Sequence, residues 1–297
     1  MLTHHRTPGA TLNRAVVLGA AGFVGGAAVR HLRAAGIETL ALGRKEIDLL
    51  SPDAPAVLRG QLRPGDTVVF VSAKAPCKDA AMLVENVRMA GAVCAAIKGL
   101  AIAHLVYVSS DAVYKDSTES LDEASCAEPG SAHGAMHLAR EVLLRGDYPG
   151  PFAIFRPTLI YGLDDPHNGY GPNRFRRLAS AGKAISLFGD GEERRDHVSV
   201  EDVAGLLVEI IKHQSTGVLN AVSGSVVSFR ELAEFTAAQF SPGFAVSGTP
   251  RSGPMPHNGY RAFDASAVAR AFPDFRITPW REGIAAACKA ESNPTAQ

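Results

Sequence analysis

Residues 15–25 read AVVLGAAGFVG, and no other segment constrains the fold of this chain as strongly. A short apolar run leads into Gly19, Gly22 and Gly25, and a stretch of helical period opens at Phe23 and Val24. In this order the first glycine allows a tight turn, the second lets a diphosphate approach the backbone, and the third lets the helix pack against the strand. A helix N-terminus placed there offers free N–H groups and a positive dipole end to phosphates. The segment predicts a βαβ unit in which these five residues contact a dinucleotide cofactor.

Short apolar runs continue to alternate with helical stretches as far as residue 157. The predicted strands are 15–20, 37–42, 68–72, 105–109 and 152–155, and the predicted helices are 23–35, 81–97 and 132–144. Strands that are apolar along their whole length and alternate with helices are typical of a parallel sheet covered on both faces. We therefore predict an α/β fold, a Rossmann-type doubly wound parallel sheet.

The second half of the chain has a more broken pattern. Residues 162–173 are rich in Gly, Pro, Asn and Asp and predict a loop, and 241–260 is expected to be irregular. Between and around them we predict helices at 174–181, 201–213 and 229–240 and strands at 185–188 and 218–222. We divide the chain into a dinucleotide-binding domain at 14–160, to which 196–222 returns, and a smaller C-terminal substrate-binding lobe at 161–195 and 223–290. The cleft between them is the expected ligand site.

Composition limits the partners and the compartment. Lys and Arg together number 30, as do Asp and Glu, so there is no basic excess of the kind that nucleic acids or anionic membranes attract. The cysteines are scattered without a CxxC pair, which favours reduced thiols in the cytoplasm over a disulfide framework or a zinc ribbon. We see no signal segment at the N-terminus and expect no apolar stretch long enough to cross a bilayer. The expected partner is a small-molecule substrate.

The residues after the second predicted strand bear on the choice between NAD and NADP. A carboxylate at this point usually holds the ribose of NAD, whereas a guanidinium suits the extra phosphate of NADP. Arg44 followed by Lys45 therefore favours NADP, while Glu46 leaves NAD open, and solvated surface charges are the alternative interpretation. Ser72 and Ala73, at the end of the third predicted strand, are further cofactor-binding candidates.

Four later segments extend the series that begins with the glycine turn. They are YVSSDAVY at 107–114, FRPTLIYG at 155–162, LFGDGEERRD at 187–196 and VSVEDVA at 198–204. In order and spacing the series resembles the extended short-chain dehydrogenase/reductase family, the NAD-dependent epimerase/dehydratase type that acts on nucleotide sugars. The resemblance covers roughly residues 14–290.

The resemblance implies roles for individual residues. Ser110 matches the active-site Ser or Thr that hydrogen-bonds the substrate oxygen, and Asn86 matches a helix Asn near the cofactor. Pro157 falls where the chain passes the nicotinamide, and Arg195 matches an Arg that grips the substrate diphosphate, with a surface ion pair as its alternative. Relatives of this type commonly form homodimers through two helices, which match 81–97 and 132–144 here.

The catalytic pair departs from the resemblance. The family uses Tyr-x-x-x-Lys on a helix, whereas the matching positions here are His133 and His137. In one interpretation His133 is the acid/base, because an imidazole titrates near neutral pH, and His137 holds the ribose. In a second the pair has lost redox chemistry and the protein only binds cofactor. In a third the two histidines take up a metal ion, although no third ligand stands out.

Two further departures concern the substrate. Leu159 stands where nucleotide-sugar enzymes often have a hydrogen-bonding Asn. Ala112 replaces the Glu of the Asp-Glu pair used in 4,6-dehydration, while Asp111 remains as a candidate acid. The leading hypothesis is an NAD(P)-dependent oxidoreductase or epimerase for a nucleotide sugar or a similar hydroxyl/carbonyl compound. The alternative is a catalytically silent dinucleotide-binding protein with a sensing or scaffold role.

Overall fold

The computed structural model describes residues 2–7, 12–241 and 243–292. In chain order the strands are β1 (Ala15–Leu18), β2 (Thr39–Leu42), β3 (Thr67–Phe70), β4 (His104–Val108), β5 (Phe152–Pro157), β6 (Leu159–Tyr161), β7 (Ile185–Phe188), β8 (Arg194–Ser199), β9 (Gly217–Ala221), β10 (Val226–Ser228), β11 (Val246–Thr249) and β12 (Tyr260–Arg261). The helices are α1 (Phe23–Ala34), α2 (Ala54–Gln61), α3 (Ala80–Ile97), α4 (Ala132–Asp147), α5 (Pro172–Ser180), α6 (Val200–Lys212), α7 (Phe229–Ala238), α8 (Ser266–Ala271) and α9 (Trp280–Ser292).

A six-stranded parallel sheet of order β2-β1-β3-β4-β5-β9 carries the first lobe. Its central strands are buried on both faces because nearly every residue in them is apolar. Side chains of α1, α6 and α8 cover one face, and side chains of α2, α3 and α4 cover the other. The predicted Rossmann-type α/β fold is confirmed.

The second lobe is built from small pieces. β8 pairs with β6, β10 and β12, while β7 pairs with β11. An apolar cluster centred on Phe175 and Phe229 joins α5 and α7 to β7. The expectation that 241–260 is irregular was wrong, since β11 and a short 3-10 helix at Pro256–Gly259 lie there. β11 is mostly exposed and carries no apolar alternation, so its partner strand β7 decides its conformation.

Helix α3 also departs from the sequence expectation about membranes. By length and composition alone this helix is long and apolar enough to cross a bilayer. In the structure its apolar side chains, including Met89, Val93 and Ile97, pack into the core cluster beneath the sheet. A core helix of a globular domain meets the same criterion, so this feature is weak evidence for a membrane span.

A buried ion pair ties α4 to the sheet beside the strand ends. Arg156 on β5 donates to both carboxylate oxygens of Glu141 on α4, at 2.8 and 2.5 Å. Ser109, which follows β4, donates to the same carboxylate at 2.6 Å. The side chains of Arg156 and Glu141 are almost fully buried and have little contact with water. Each charge is therefore stabilised mainly by the opposite charge of its partner.

We predict that Glu141→Gln lowers the free energy of unfolding by about 3 kcal/mol or more, because it leaves the Arg156 charge buried without its counterion. Urea denaturation measures the loss. Glu128→Gln is the matched control, since the Lys115–Glu128 pair has side chains 57% and 63% exposed and is expected to contribute little. Equal stability of the two variants would contradict the prediction.

Candidate active site

A cavity of about 1080 Å³ opens where the strands of the main sheet end. Residues that follow the carboxyl ends of β1 to β5 line it, as expected for a ligand site of a doubly wound sheet. The structure brings most of the predicted site residues to its wall, namely Gly19, Gly22, Phe23, Val24, Gly25, Arg44, Ser72, Ala73, Ser110, Asp111, His133, His137, Pro157 and Arg195.

The glycine turn is packed too closely for side chains. Gly19 has a φ of +95°, and a Cβ there would lie 2.8 Å from the backbone nitrogen of Ser72. A Cβ on Gly25 would collide with the carbonyl oxygen of Gly19. Helix α1 begins at Phe23, between Gly19 and Gly25, and Gly22 at its N-cap supplies no side-chain hydrogen bond to the first turn. The first-turn N–H groups are therefore available to an anion, which fits the diphosphate of a dinucleotide.

After the end of β2, the Glu46 carboxylate and the Arg44 guanidinium have different surroundings. The Glu46 carboxylate accepts a 2.8 Å hydrogen bond from the backbone N–H of Gly43. Arg44 lines the cavity with 76% of its side chain exposed and has one loose contact, 3.4 Å to Asp48. The guanidinium is thus the group at this edge with donors to spare.

Asn86 lies behind the cavity wall, among residues that the cavity does not reach. Its side chain accepts from the backbone N–H of Lys74 at 2.9 Å and donates to the carbonyl oxygens of Lys74 and Met82. Asn86 is fully buried on α3. Its two hydrogen bonds to Lys74 hold the backbone that follows Ser72 and Ala73. In this structure Asn86 supports the cofactor-facing loop instead of touching the cavity.

Ser110 and Asp111 follow β4. The Ser110 hydroxyl accepts from the backbone N–H of Ala112 at 3.1 Å and points its proton toward Asp111, 3.4 Å away. The other carboxylate oxygen of Asp111 accepts a 2.8 Å hydrogen bond from Arg261. Arg261 was not among the site residues predicted from the sequence. Asp111 is therefore half of a buried ion pair.

His133 lies in the first turn of α4, where Ser131 caps the helix. Burial lowers the pKa of His133, against the opposing charge of Asp111. Its Nδ1 accepts the backbone N–H of Cys77 at 3.3 Å, so the neutral ring carries its proton on Nε2. A proton on Nδ1 would point at the backbone N–H of Cys77, and the two N–H groups would repel each other. The neutral His133 ring is therefore better suited to donate a hydrogen bond from Nε2 than to act as a base that takes up a proton.

His137 lies one turn further along α4, 4.7 Å from His133 between ring centroids. Burial, then the neighbouring charges of His133 and Arg140, lower its pKa well below the usual value. Burial raises the pKa of Tyr107, so we assign the Tyr107 hydroxyl as the donor of the 2.7 Å hydrogen bond to Nδ1 of His137. His137 is a neutral imidazole and does not replace the charge of a lysine.

Sequence reasoning missed the cation that is present nearby. Arg140 is fully buried on α4, with its guanidinium carbon 4.2 Å from the ring centroid of Phe70 and 5.0 Å from that of Tyr107. It donates a 2.7 Å hydrogen bond to the carbonyl oxygen of Ser72, which borders the cavity. The spacing of 133, 137 and 140 places all three on one helix face, and this was the signal available in the sequence.

Arg195 reaches the opposite side of the cavity from β8. Its side chain is 9% exposed, and Nη1 donates to the buried carboxylate of Glu193 at 3.1 Å. The alternative of a surface ion pair is therefore only half right, because the pair exists but is buried. As for the metal interpretation of the histidines, no cluster of three or more His, Cys, Asp or Glu side chains suited to a metal ion occurs among the described residues.

Comparison with known proteins agrees with this architecture. dTDP-L-rhamnose 4-epimerase of Burkholderia thailandensis is 27% identical over 201 residues, which span 54% of this chain and 55% of that protein. dTDP-4-dehydro-6-deoxy-D-allose reductase of Streptomyces bikiniensis is 26% identical over 288 residues, 80% of this chain and 83% of that one. The crystal structure of a GDP-L-fucose synthetase from Naegleria fowleri bound to NADP superimposes with a TM-score of 0.84 at 17% identity, covering 100% of this chain and 99% of that one.

The sequence profile of the NAD dependent epimerase/dehydratase family matches residues 15–222, from the first strand to the last strand of the main sheet. A match of this length, on a cavity formed around the glycine turn, shows that the chain belongs to this family of extended short-chain dehydrogenases/reductases, which depends on a nicotinamide dinucleotide.

Proposed function

We propose that this protein is an NADP-dependent oxidoreductase or epimerase that transfers hydride to or from a small hydroxyl/carbonyl compound, the class to which nucleotide sugars belong. The observation that supports the proposal is the convergence of the glycine turn, Ser110 and His133 on one cavity. Bound there, the nicotinamide would supply the hydride chemistry. The named relatives are an epimerase and a reductase of nucleotide sugars, in keeping with this reaction class.

The residues of the chain have the following proposed roles. The N–H groups at the start of α1 hold the diphosphate, while Ser72, Ala73 and Pro157 bound the nicotinamide end of the cavity. The Ser110 hydroxyl, turned from its long contact with Asp111, and Nε2–H of His133 donate to the substrate oxygen and stabilise the negative charge that develops on it. The proton that the oxygen gains on reduction, or loses on oxidation, is exchanged with water in the cavity. His137 donates its Nε2–H to the cofactor ribose in place of an ammonium.

A second candidate function is supported by the state of the two histidines. Both histidines are held neutral, with each Nδ1 already engaged, so neither readily shuttles a proton. A protein that binds the dinucleotide without turning over substrate is the alternative that this arrangement favours. The experiments below separate the two functions, since both require cofactor binding and only one requires turnover.

For the cofactor we propose NADP, because Arg44 has donors to spare at the end of β2. Arg44→Ala should weaken NADP binding about tenfold or more and leave NAD binding unchanged, since a hydrogen bond to a charged group contributes about 1.5–3 kcal/mol. Calorimetric titration with each dinucleotide measures both affinities.

The control for Arg44 is Lys45→Ala, an exposed cation one residue along that the cavity does not reach. Lys45→Ala should leave both affinities as they are. If NADP binds no better than NAD and Arg44→Ala affects them equally, the preference for NADP is refuted.

His133→Ala should lower turnover by about 10²-fold or more while NADP affinity persists, because it removes a donor aimed at charge that develops during the reaction. Steady-state rates with a panel of hydroxyl and carbonyl compounds, together with a cofactor titration, give the two readouts. Wild-type protein that binds cofactor and turns over none of the panel would favour the silent function.

We also propose a homodimer that works in the cytoplasm. The apolar residues Val84 on α3 and Val142 and Leu143 on α4 are 55%, 58% and 36% exposed on neighbouring helices. A second copy would cover them. The cysteines are free in the structure, which suits a reducing compartment.

Val142→Glu should shift the protein from dimer to monomer in sedimentation equilibrium, because it sets a charge into the proposed apolar interface. Val57→Glu is the control, since Val57 is an exposed valine of α2 at 39% and lies outside the proposed interface. A wild-type monomer at micromolar concentration would refute the dimer.

A further inference from the structure

A histidine outside the candidate catalytic helix also lines the cavity. His257 lies in the short 3-10 helix at Pro256–Gly259 and borders the cavity together with Asp116. Its φ is +51° and that of the next residue, Asn258, is +52°, a left-handed conformation that residues other than glycine rarely adopt. Residues held in this way are concentrated at functional sites, so His257 is a candidate for a role in the cavity.

Asp116 fixes the tautomer of the His257 ring. The Nδ1 atom of His257 lies 2.5 Å from Oδ1 of Asp116. An ionised carboxylate can only accept a hydrogen bond, so Nδ1 carries the proton and donates it to Asp116. Nη1 of Arg261 donates to the same oxygen at 3.1 Å. The 3.2 Å approach of Nη1 to Nδ1 is therefore a contact between two donors that share one acceptor.

The other ring nitrogen of His257 is open to the cavity. No described residue hydrogen-bonds Nε2, and this atom is not buried. With the proton on Nδ1, Nε2 has a free lone pair. His257 thus has the opposite polarity to His133, whose Nδ1 accepts and whose Nε2–H donates. His167 lines the cavity as well, but no hydrogen bond from a described side chain orients its ring.

The groups around His257 keep its ring neutral near pH 7. Burial lowers the pKa of His257, and the positive charges of Arg195 and Arg261 lower it as well. The hydrogen bond and the charge of Asp116 act in the opposite direction. Because the sum of these effects places the pKa below the ordinary imidazole value of 6.5, the ring is able to accept a proton.

A single guanidinium connects this pair with Ser110. Arg261 donates from Nη1 to Asp116 and from Nε to Asp111, the latter at 2.8 Å. The carboxylate of Asp111 lies 3.4 Å from the Ser110 hydroxyl. His257 therefore belongs to the same charged network as a residue proposed to hold the substrate oxygen.

We infer that His257, oriented by Asp116, is the base of this site. In oxidation the substrate carbon loses a hydride, which the nicotinamide takes, and the substrate oxygen loses a proton, which a water of the cavity passes to Nε2 of His257. The Asp116 carboxylate stabilises the imidazolium that forms. In reduction the proton and the hydride return. The inference rests on the proposed function and supplies the proton acceptor that His133 and His137 do not provide.

The first test is His257→Gly, with oxidation of the hydroxyl compounds of the panel by NADP⁺ as the readout. Glycine adopts a left-handed φ without strain, so the variant suits the local backbone while it removes the base. Turnover should fall about 10²-fold or more, the contribution of a positioned acid or base. Added imidazole should restore part of the lost turnover, because it can accept the proton in place of the missing side chain.

Asn258→Gly is the matched control. Asn258 has nearly the same left-handed φ and does not line the cavity. This variant should turn over as wild type does, with or without imidazole. Thermal unfolding and NADP⁺ affinity verify that both glycine variants are folded.

Asp116→Asn tests the orienting carboxylate. Oxidation requires the neutral ring, so kcat/KM should fall as the pH drops below the pKa of His257. Because Asp116 raises that pKa, its replacement should move this acid limb to lower pH. A merely structural role of Asp116 would leave the limb in place. Arg261 keeps Asp111 as its counterion in this variant, so its buried charge remains paired.

Two results would overturn the inference while the proposed function stands. One is full turnover by folded His257→Gly, or a loss that imidazole does not restore. The other is an acid limb that Asp116→Asn does not move. A failure of the proposed function gives a different result, since wild-type protein then binds NADP⁺ and oxidises none of the panel, and the inference fails with it.

Discussion

The contact between the glycine turn and the end of the third strand is the constraint on which the rest of the site depends. Gly19 leaves no room for a side chain against Ser72, and Gly25 leaves none against Gly19. The first strand, its neighbour and the N-terminus of α1 are therefore held at backbone contact distance. Arg140 then bonds the Ser72 carbonyl from α4, the helix that carries both histidines. Cofactor cradle and candidate catalytic helix are thus joined through one short piece of backbone.

The histidines of the candidate catalytic helix are uncharged, and the charged groups near Ser110 are paired. His133 and His137 each accept a hydrogen bond at Nδ1 and are kept uncharged by burial, while the guanidinium groups on the substrate side are matched with carboxylates. A neutral donor in a desolvated site can still stabilise an oxyanion without giving up its own proton. Arg140 lies next to the cofactor loop, where aromatic rings shield its charge, and it is not among the residues that line the cavity.

The fold is shared more widely than the residues of the cavity. The chain shares its architecture with a GDP-L-fucose synthetase at 17% identity, so the backbone is retained while most side chains differ. The departures from the family pattern, at Ala112, His133, His137 and Leu159, all line the cavity. In such a family, function is decided by the site and is not determined by the fold.

Much of the fold could be predicted from sequence, because the signals are local. The apolar strands of the first lobe, the helices between them and the glycine turn each depend on residues adjacent in the chain. Helices α2, α8 and α9 and strands β6, β8, β10, β11 and β12 were missed, since short or half-exposed segments owe their conformation to partners elsewhere in the chain. The same applies to Asn86, whose role as a support for Lys74 depends on how a loop folds back onto α3.

The sequence by itself therefore determined the Rossmann-type sheet, the cofactor end of the cavity and the replacement of the usual catalytic pair by His133 and His137. Only the tertiary structure decided the charge state of the site. Arg261 meets Asp111 across 150 residues, and Tyr107 meets His137 across 30. Pairings of this kind leave no pattern in the sequence, because burial and distance arise only when strands, helices and loops come together.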